Sequence, residues 1–85
     1  MDTLVTVVVV DDHPFFRDGV SRGLSASGRV RVVGEAADGE AGLREIVTKP
    51  AHLVISDFNM PNLDGLGLLR AIRAHPPTSK TAFIM

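Results

Sequence analysis

Leu4-Val5-Thr6-Val7-Val8-Val9-Val10-Asp11-Asp12 decides the architecture of this chain. From Leu4 to Val10 every residue is apolar or β-branched, with no polar face. That is the pattern of a strand covered on both sides, and such strands belong to parallel sheets. The run closes on the carboxylates of Asp11 and Asp12. A second apolar run, Leu53-Val54-Ile55-Ser56, closes on Asp57. In one parallel sheet both runs point the same way, so these acids gather at the C-terminal edge, where open α/β sheets place their chemistry. Clustered carboxylates cannot all stay ionised without a cation, and a hard divalent metal is implied.

Helical patterns separate the strands. Pro14 suits a first helical position, and Phe16, Val20 and Leu24 recur at spacing four as one apolar stripe that Ser27-Gly28 ends. Val30, Val32 and Val33, interleaved with Arg29 and Arg31, alternate only in part and predict a second strand at an edge of the sheet. Asp38-Gly39 offers an N-cap with Glu40 favourably placed against the helix dipole. Ala41, Leu43, Ile46 and Val47 supply that helix's apolar face, and Lys49-Pro50 stops it. Leu53–Ser56 reads as a central strand, and Asn59-Met60-Pro61-Asn62 as a loop. Asp64-Gly65 caps a third helix carrying Leu66, Leu68, Leu69 and Ile72, and His75-Pro76-Pro77 ends it. Thr81 to Met85 reads as a fourth strand. The order β-α-β-α-β-α-β predicts an α/β fold with a parallel sheet and right-handed crossovers.

The bulk properties exclude several classes. A chain of 85 residues, 45% hydrophobic, supports one small domain with a core. A net charge of −1 and scattered basic residues give no support to direct nucleic-acid contact or a membrane surface. There is no cysteine, hence no disulfide framework or thiolate metal site. No apolar run approaches the roughly 18 residues of a membrane span. No basic region precedes the first run, so a secretory signal is not expected and a cytoplasmic location is. The first strand is not followed by a glycine-rich loop, which disfavours dinucleotide binding.

Strand-end carboxylates can do two things together. They supply oxygens for Mg²⁺, and one of them can attack phosphorus while the metal screens the repulsion between phosphate and acid. The plainer role is capping: Asp12 stands just before the first helix.

The strings Val9-Val10-Asp11-Asp12-His13-Pro14 and Asp57-Phe58-Asn59-Met60-Pro61-Asn62-Leu63-Asp64-Gly65 narrow the choice. Together they resemble the receiver domain of two-component response regulators, and the resemblance runs across the whole chain. Phe15-Phe16-Arg17-Asp18-Gly19 after His13-Pro14 is similar to receivers that precede a LuxR-type helix-turn-helix output domain. The resemblance implies a flavodoxin-like, doubly wound sheet with strand order 2-1-3-4. It implies Asp57 as phosphoacceptor, Asp12 as a direct Mg²⁺ ligand, Asp11 as a ligand through water, and Asn59 as a ligand through its backbone carbonyl. The implied partner is a sensor histidine kinase, and the implied output is a transcriptional domain outside this chain. A receiver is not an enzyme beyond promoting its own phosphorylation and dephosphorylation. A phosphatase of the haloacid dehalogenase type is disfavoured, because its Asp-x-Asp would follow the first strand.

The neighbours of these acids have structural readings. Met60 is expected to pack under the loop, Pro61 to stiffen it, and Gly65 to allow the turn into the third helix. His13 is expected to be a packing or capping residue, and His52 and His75 to flank strands or lie at the surface. A complete receiver of the family has five strands and five helices. Residues 1–85 are expected to be its N-terminal part, with the last strand and last two helices absent. The family's Ser or Thr after the fourth strand and its lysine after the fifth are then absent too, and Lys80 does not replace that lysine. An exposed fourth strand and a sheet face uncovered near the first strand would favour a homo-oligomer. The alternative function is a phosphorylation-deficient module that only self-associates or binds other proteins.

Overall fold

A computed structural model describes residues 4–85. The elements are β1 (Val5–Val10), α1 (Pro14–Ala26), β2 (Val30–Ala36), α2 (Gly39–Thr48), β3 (Leu53–Ser56), α3 (Gly65–Ala74), a 3₁₀ turn (Pro76–Thr78) and β4 (Ala82–Ile84). The strands form one sheet in the order β2-β1-β3-β4, and every pairing is parallel. This is the expected flavodoxin-like arrangement. β2 lies at an edge and β3 between two neighbours, as their residue patterns require.

The partial alternation of β2 has a physical cause. Val7 pairs with Val32 and Val8 with Gly34, so Val33 is the extra residue of a bulge. Gly34 makes room there, because a Cβ would stand 2.7 Å from Glu45 Oε1. Beyond the bulge the ladder runs to the end of β1. The Asp11 N–H donates to the Ala36 carbonyl at 3.0 Å and the Asp57 N–H to the Val10 carbonyl at 2.9 Å.

The core lies on the face carrying Val8, Val10 and Val54, under Ile46 of α2 and Leu68 and Ile72 of α3, all fully buried. Gly42 lets α2 settle onto β1, since a Cβ there would stand 2.9 Å from Val10 Cγ2. Both following helices carry the caps their sequences announce. Asp38 accepts from the Ala41 N–H at 2.8 Å, and Asp64 from the Gly67 N–H at 2.7 Å. Past α3 the buried Thr78 hydroxyl donates to the Ile72 carbonyl at 2.9 Å, closing the helix end. His75 is the C-cap of α3. His52 flanks β3, and its Nδ1 accepts from the Thr6 N–H at 3.0 Å. Among the described residues no helix is long and apolar enough to cross a membrane.

The other face departs from expectation at the start of α1. Of the α1 stripe, Val20 and Leu24 are half-buried, but Phe16 is 64% exposed and Phe15 93%. Within β1, Val7 and Val9 are buried, while Val5 at its start is 43% exposed. α1 packs on β1 and β2. Exposed apolar side chains also lie at the far side of the sheet, on Ile84, Met85 and Phe58.

Candidate functional site

Because β1 and β3 are neighbours in register, Val10 opposite Ser56, the residues after them emerge side by side. One ligand atom from each of Asp11, Asp12, His13 and Asp57 lies within 4.8 Å of all the others. The expected acids do meet. Asn59 is exposed in the loop two residues beyond Asp57.

Each acid is held differently. The Asp11 side chain is 8% exposed, and its Oδ1 accepts from both the backbone N–H and Nδ1 of His13, each at 2.8 Å. Its carbonyl accepts from Arg17 Nη1 at 2.6 Å, while Arg17 Nε stands 3.4 Å from Glu35 Oε1. Arg17 thus ties the loop after β1 to the end of β2. Asp57 Oδ1 accepts from the Phe58 N–H at 2.8 Å. Its Oδ2 faces the cluster, 3.6 Å from His13 Nδ1.

Asp12 Oδ1 is shielded from solvent yet accepts no hydrogen bond of good geometry. Only His13 Nδ1 approaches it, at 3.1 Å. A shielded carboxylate oxygen without a donor is costly. A hard cation bound by carboxylate oxygens removes that cost, so this donor set fits a divalent ion of the Mg²⁺ type.

His13 corrects its expected role. It stands at the N-cap position of α1, but its side chain makes no capping hydrogen bond. Its ring lies among the acids instead. The hydrogen bond to Asp11 chiefly, then the charge of Asp12, raises its pKa above the ordinary histidine value, and Asp57 adds to this. The available signal was adjacency: a histidine next to two strand-end acids has complementary charge within reach of its ring. At the opposite rim, the Ala41 N–H and then the Asn62 side chain hold Asp38 below its usual range.

The β3–α3 loop is pinned at several points. Asn62 adopts a left-handed φ of 69°, and its side-chain N–H donates to Asp38 Oδ2 at 2.8 Å. Met60 packs against the core as expected. Gly65 differs. It is the first residue of α3 and is buried, and glycine is needed there for close approach, not for the turn. A Cβ would overlap the Asp57 carbonyl oxygen and stand 3.1 Å from Phe58 Cα.

Comparison with known proteins gives a consistent result. The family described as response regulator receiver domain matches residues 7–85. The chain is 44% identical over 81 residues to the probable chemotaxis protein CheY of Rhizobium etli, covering 95% of this chain and 62% of that protein. It is 45% identical over 80 residues to the probable transcriptional regulatory protein NarL of Mycobacterium tuberculosis, covering 94% of this chain and 37% of that one. Among solved structures, the signal receiver domain of NarL from M. tuberculosis superposes with a TM-score of 0.82 at 49% identity, over 84% of this chain and 57% of that one. The response regulator domain of Thermotoga maritima CheB superposes with a TM-score of 0.90 at 29% identity, over 98% of this chain and 60% of that one. The chain therefore spans less than two thirds of the length of each of these relatives.

Proposed function

This chain belongs to the response regulator receiver family, and from that premise we propose that it accepts a phosphoryl group on Asp57 from a sensor kinase histidine. The observation that carries the proposal is the meeting of Asp11, Asp12 and Asp57 at adjoining strand ends. The Phe58 N–H holds Asp57 Oδ1 and Oδ2 faces the cluster; one oxygen of the carboxylate attacks phosphorus while the other would hold the metal. As the new O–P bond forms, the bond from phosphorus to the donor histidine nitrogen breaks. Mg²⁺ held by Asp11, Asp12, Asp57 and the Asn59 carbonyl would supply the charge that lets anionic phosphate approach. Asp11, buried and hydrogen-bonded through both its side chain and its carbonyl, keeps the site in shape. The likeness to a transcriptional regulatory protein supports a transcriptional output outside this chain, and with that output we propose a cytoplasmic setting and a role without catalysis beyond self-modification. The net charge of −1 supports the proposal that this chain itself does not touch nucleic acid.

The test is incubation with acetyl phosphate and Mg²⁺ followed by intact-mass measurement. Wild type is expected to gain one phosphoryl group. Asp57→Asn is expected to gain none, and Asp12→Asn at least about tenfold less in the same time. A full gain in Asp57→Asn would remove Asp57 from the role.

A second reading is favoured by the exposed edge. β4 borders the sheet, with Ile84 55% and Met85 52% exposed beside it. An open edge next to apolar side chains invites pairing with a second copy. Light scattering is then expected to give a dimer mass that Ile84→Lys reduces to that of a monomer. A monomer mass at all concentrations would exclude this reading.

A further inference from the structure

We propose that His13 is itself a ligand in the divalent-metal site, and that its ring shifts the site's preference from Mg²⁺ toward ions that bind imidazole, such as Co²⁺ and Zn²⁺. The inference rests on the metal-site reading given above. It concerns which ion the site prefers, which the acids alone leave open.

His13 Nδ1 stands 2.8 Å from an oxygen of Asp11, 3.1 Å from one of Asp12 and 3.6 Å from one of Asp57. Ligand atoms bonded to one ion at about 2.1 Å stand about 3.0 Å apart at right angles and about 3.4 Å apart at the tetrahedral angle. The three observed separations bracket those values. With its Nδ1 proton released to solvent as the ion binds, the ring nitrogen would stand at a corner of the same polyhedron as the carboxylates.

Its tether keeps it there. The His13 backbone N–H is bound to Asp11 Oδ1 at 2.8 Å, so the residue that presents the ring is anchored to one of the acids. The side chain caps nothing and is 67% exposed; its one hydrogen bond to an acid, from Nδ1 to Asp11 Oδ1 at 2.8 Å, is the contact that ion binding would replace. The nearest guanidinium does not compete for the acids' side chains. Arg17 is directed at the Asp11 carbonyl and at Glu35.

Ligand type then sets the preference. Mg²⁺ takes oxygen ligands and gains little from an imidazole, whereas cobalt and zinc bind it well. Carboxylates alone also favour cobalt over magnesium to some degree. The diagnostic quantity is accordingly the change in the ratio of the two affinities when the ring nitrogen is removed.

The experiment is calorimetric titration of the full 85-residue chain with Mg²⁺ and, separately, Co²⁺, for wild type, His13→Phe and Asp12→Asn. Phenylalanine keeps a ring of similar shape at an exposed position, so the fold is preserved. His13→Phe is expected to weaken Co²⁺ binding at least about tenfold and to change Mg²⁺ binding by less than about threefold. As a direct readout, Zn²⁺ is expected to move the ring-nitrogen resonance of one of the three histidines in wild type, and that signal is expected to vanish in His13→Phe. If wild type binds both ions and His13→Phe changes them by the same factor or not at all, the ring is no ligand and this inference falls alone. If wild type binds neither ion, or if Asp12→Asn leaves both affinities intact, the metal-site reading falls and takes the inference with it.

Discussion

Gly65→Ala is expected to lower stability by about 2 kcal/mol or more and to weaken Mg²⁺ binding with it. The added methyl would overlap the Asp57 carbonyl oxygen and lie 3.1 Å from Phe58 Cα and 2.8 Å from Met85 Sδ. Methionine can swing aside, but the other two atoms are backbone of the segment that carries the phosphoacceptor. Relief requires α3 to back away from the loop, which breaks the hydrogen bond from the Gly65 N–H to the Phe58 carbonyl at 2.8 Å. The same displacement moves Asp57 relative to Asp11 and Asp12, so fold and site suffer together. Gly23→Ala is the matched control. It lies within α1 with nothing within 4 Å of the added carbon, so it is expected to gain about 0.5–1 kcal/mol from helix propensity. Urea unfolding and Mg²⁺ titration of the two variants check the contrast. Equal midpoints would show that α3 shifts without cost.

Leu68→Ala carries the second large effect. Leu68 is 0% exposed and packs in the cluster that includes Val10, Ile46, Val54 and Ile72. Truncating a fully buried leucine costs about 2–5 kcal/mol through lost transfer energy and the cavity left behind. At about 0.05–0.15 kcal/mol per residue, a chain of 85 residues has a total stability of about 4–13 kcal/mol. One substitution therefore removes a large share of it. Circular dichroism is expected to show a markedly lower thermal midpoint, with part of the population unfolded at room temperature if wild type sits low in that range. Leu69→Ala, one residue on and only half-buried, is expected to cost distinctly less. Equal losses at the two positions would mean that the core is not centred where Leu68 lies.

Most elements were legible in the residues because local chemistry marks their ends. Asp38 and Asp64 cap the helices they announce, Ser27-Gly28 ends α1 with a left-handed glycine at φ 74°, and Pro14 starts it. The break in the alternation of β2 was visible too, but its cause was not. The bulge exists only against the register of β1. Phe16 misled for a related reason. Helical spacing places it on the same stripe as Val20 and Leu24, but whether a stripe is covered depends on what lies opposite its end.

The candidate site divides the same way. That Asp11, Asp12 and Asp57 would meet followed from two apolar runs ending in acids, because parallel neighbours bring strand ends together. The sequence by itself determined the parallel α/β order, the caps and the identity of the acids, since these depend on residue type and on spacing along the chain. Only the tertiary structure decided that His13 turns into the cluster, that Gly65 is required by the backbone of Asp57 and Phe58, and that Phe16 stays exposed while Val20 and Leu24 are half-buried. Each of those depends on distances between segments far apart in the chain or on the direction of a ring about its own bonds, and neither is encoded in periodicity.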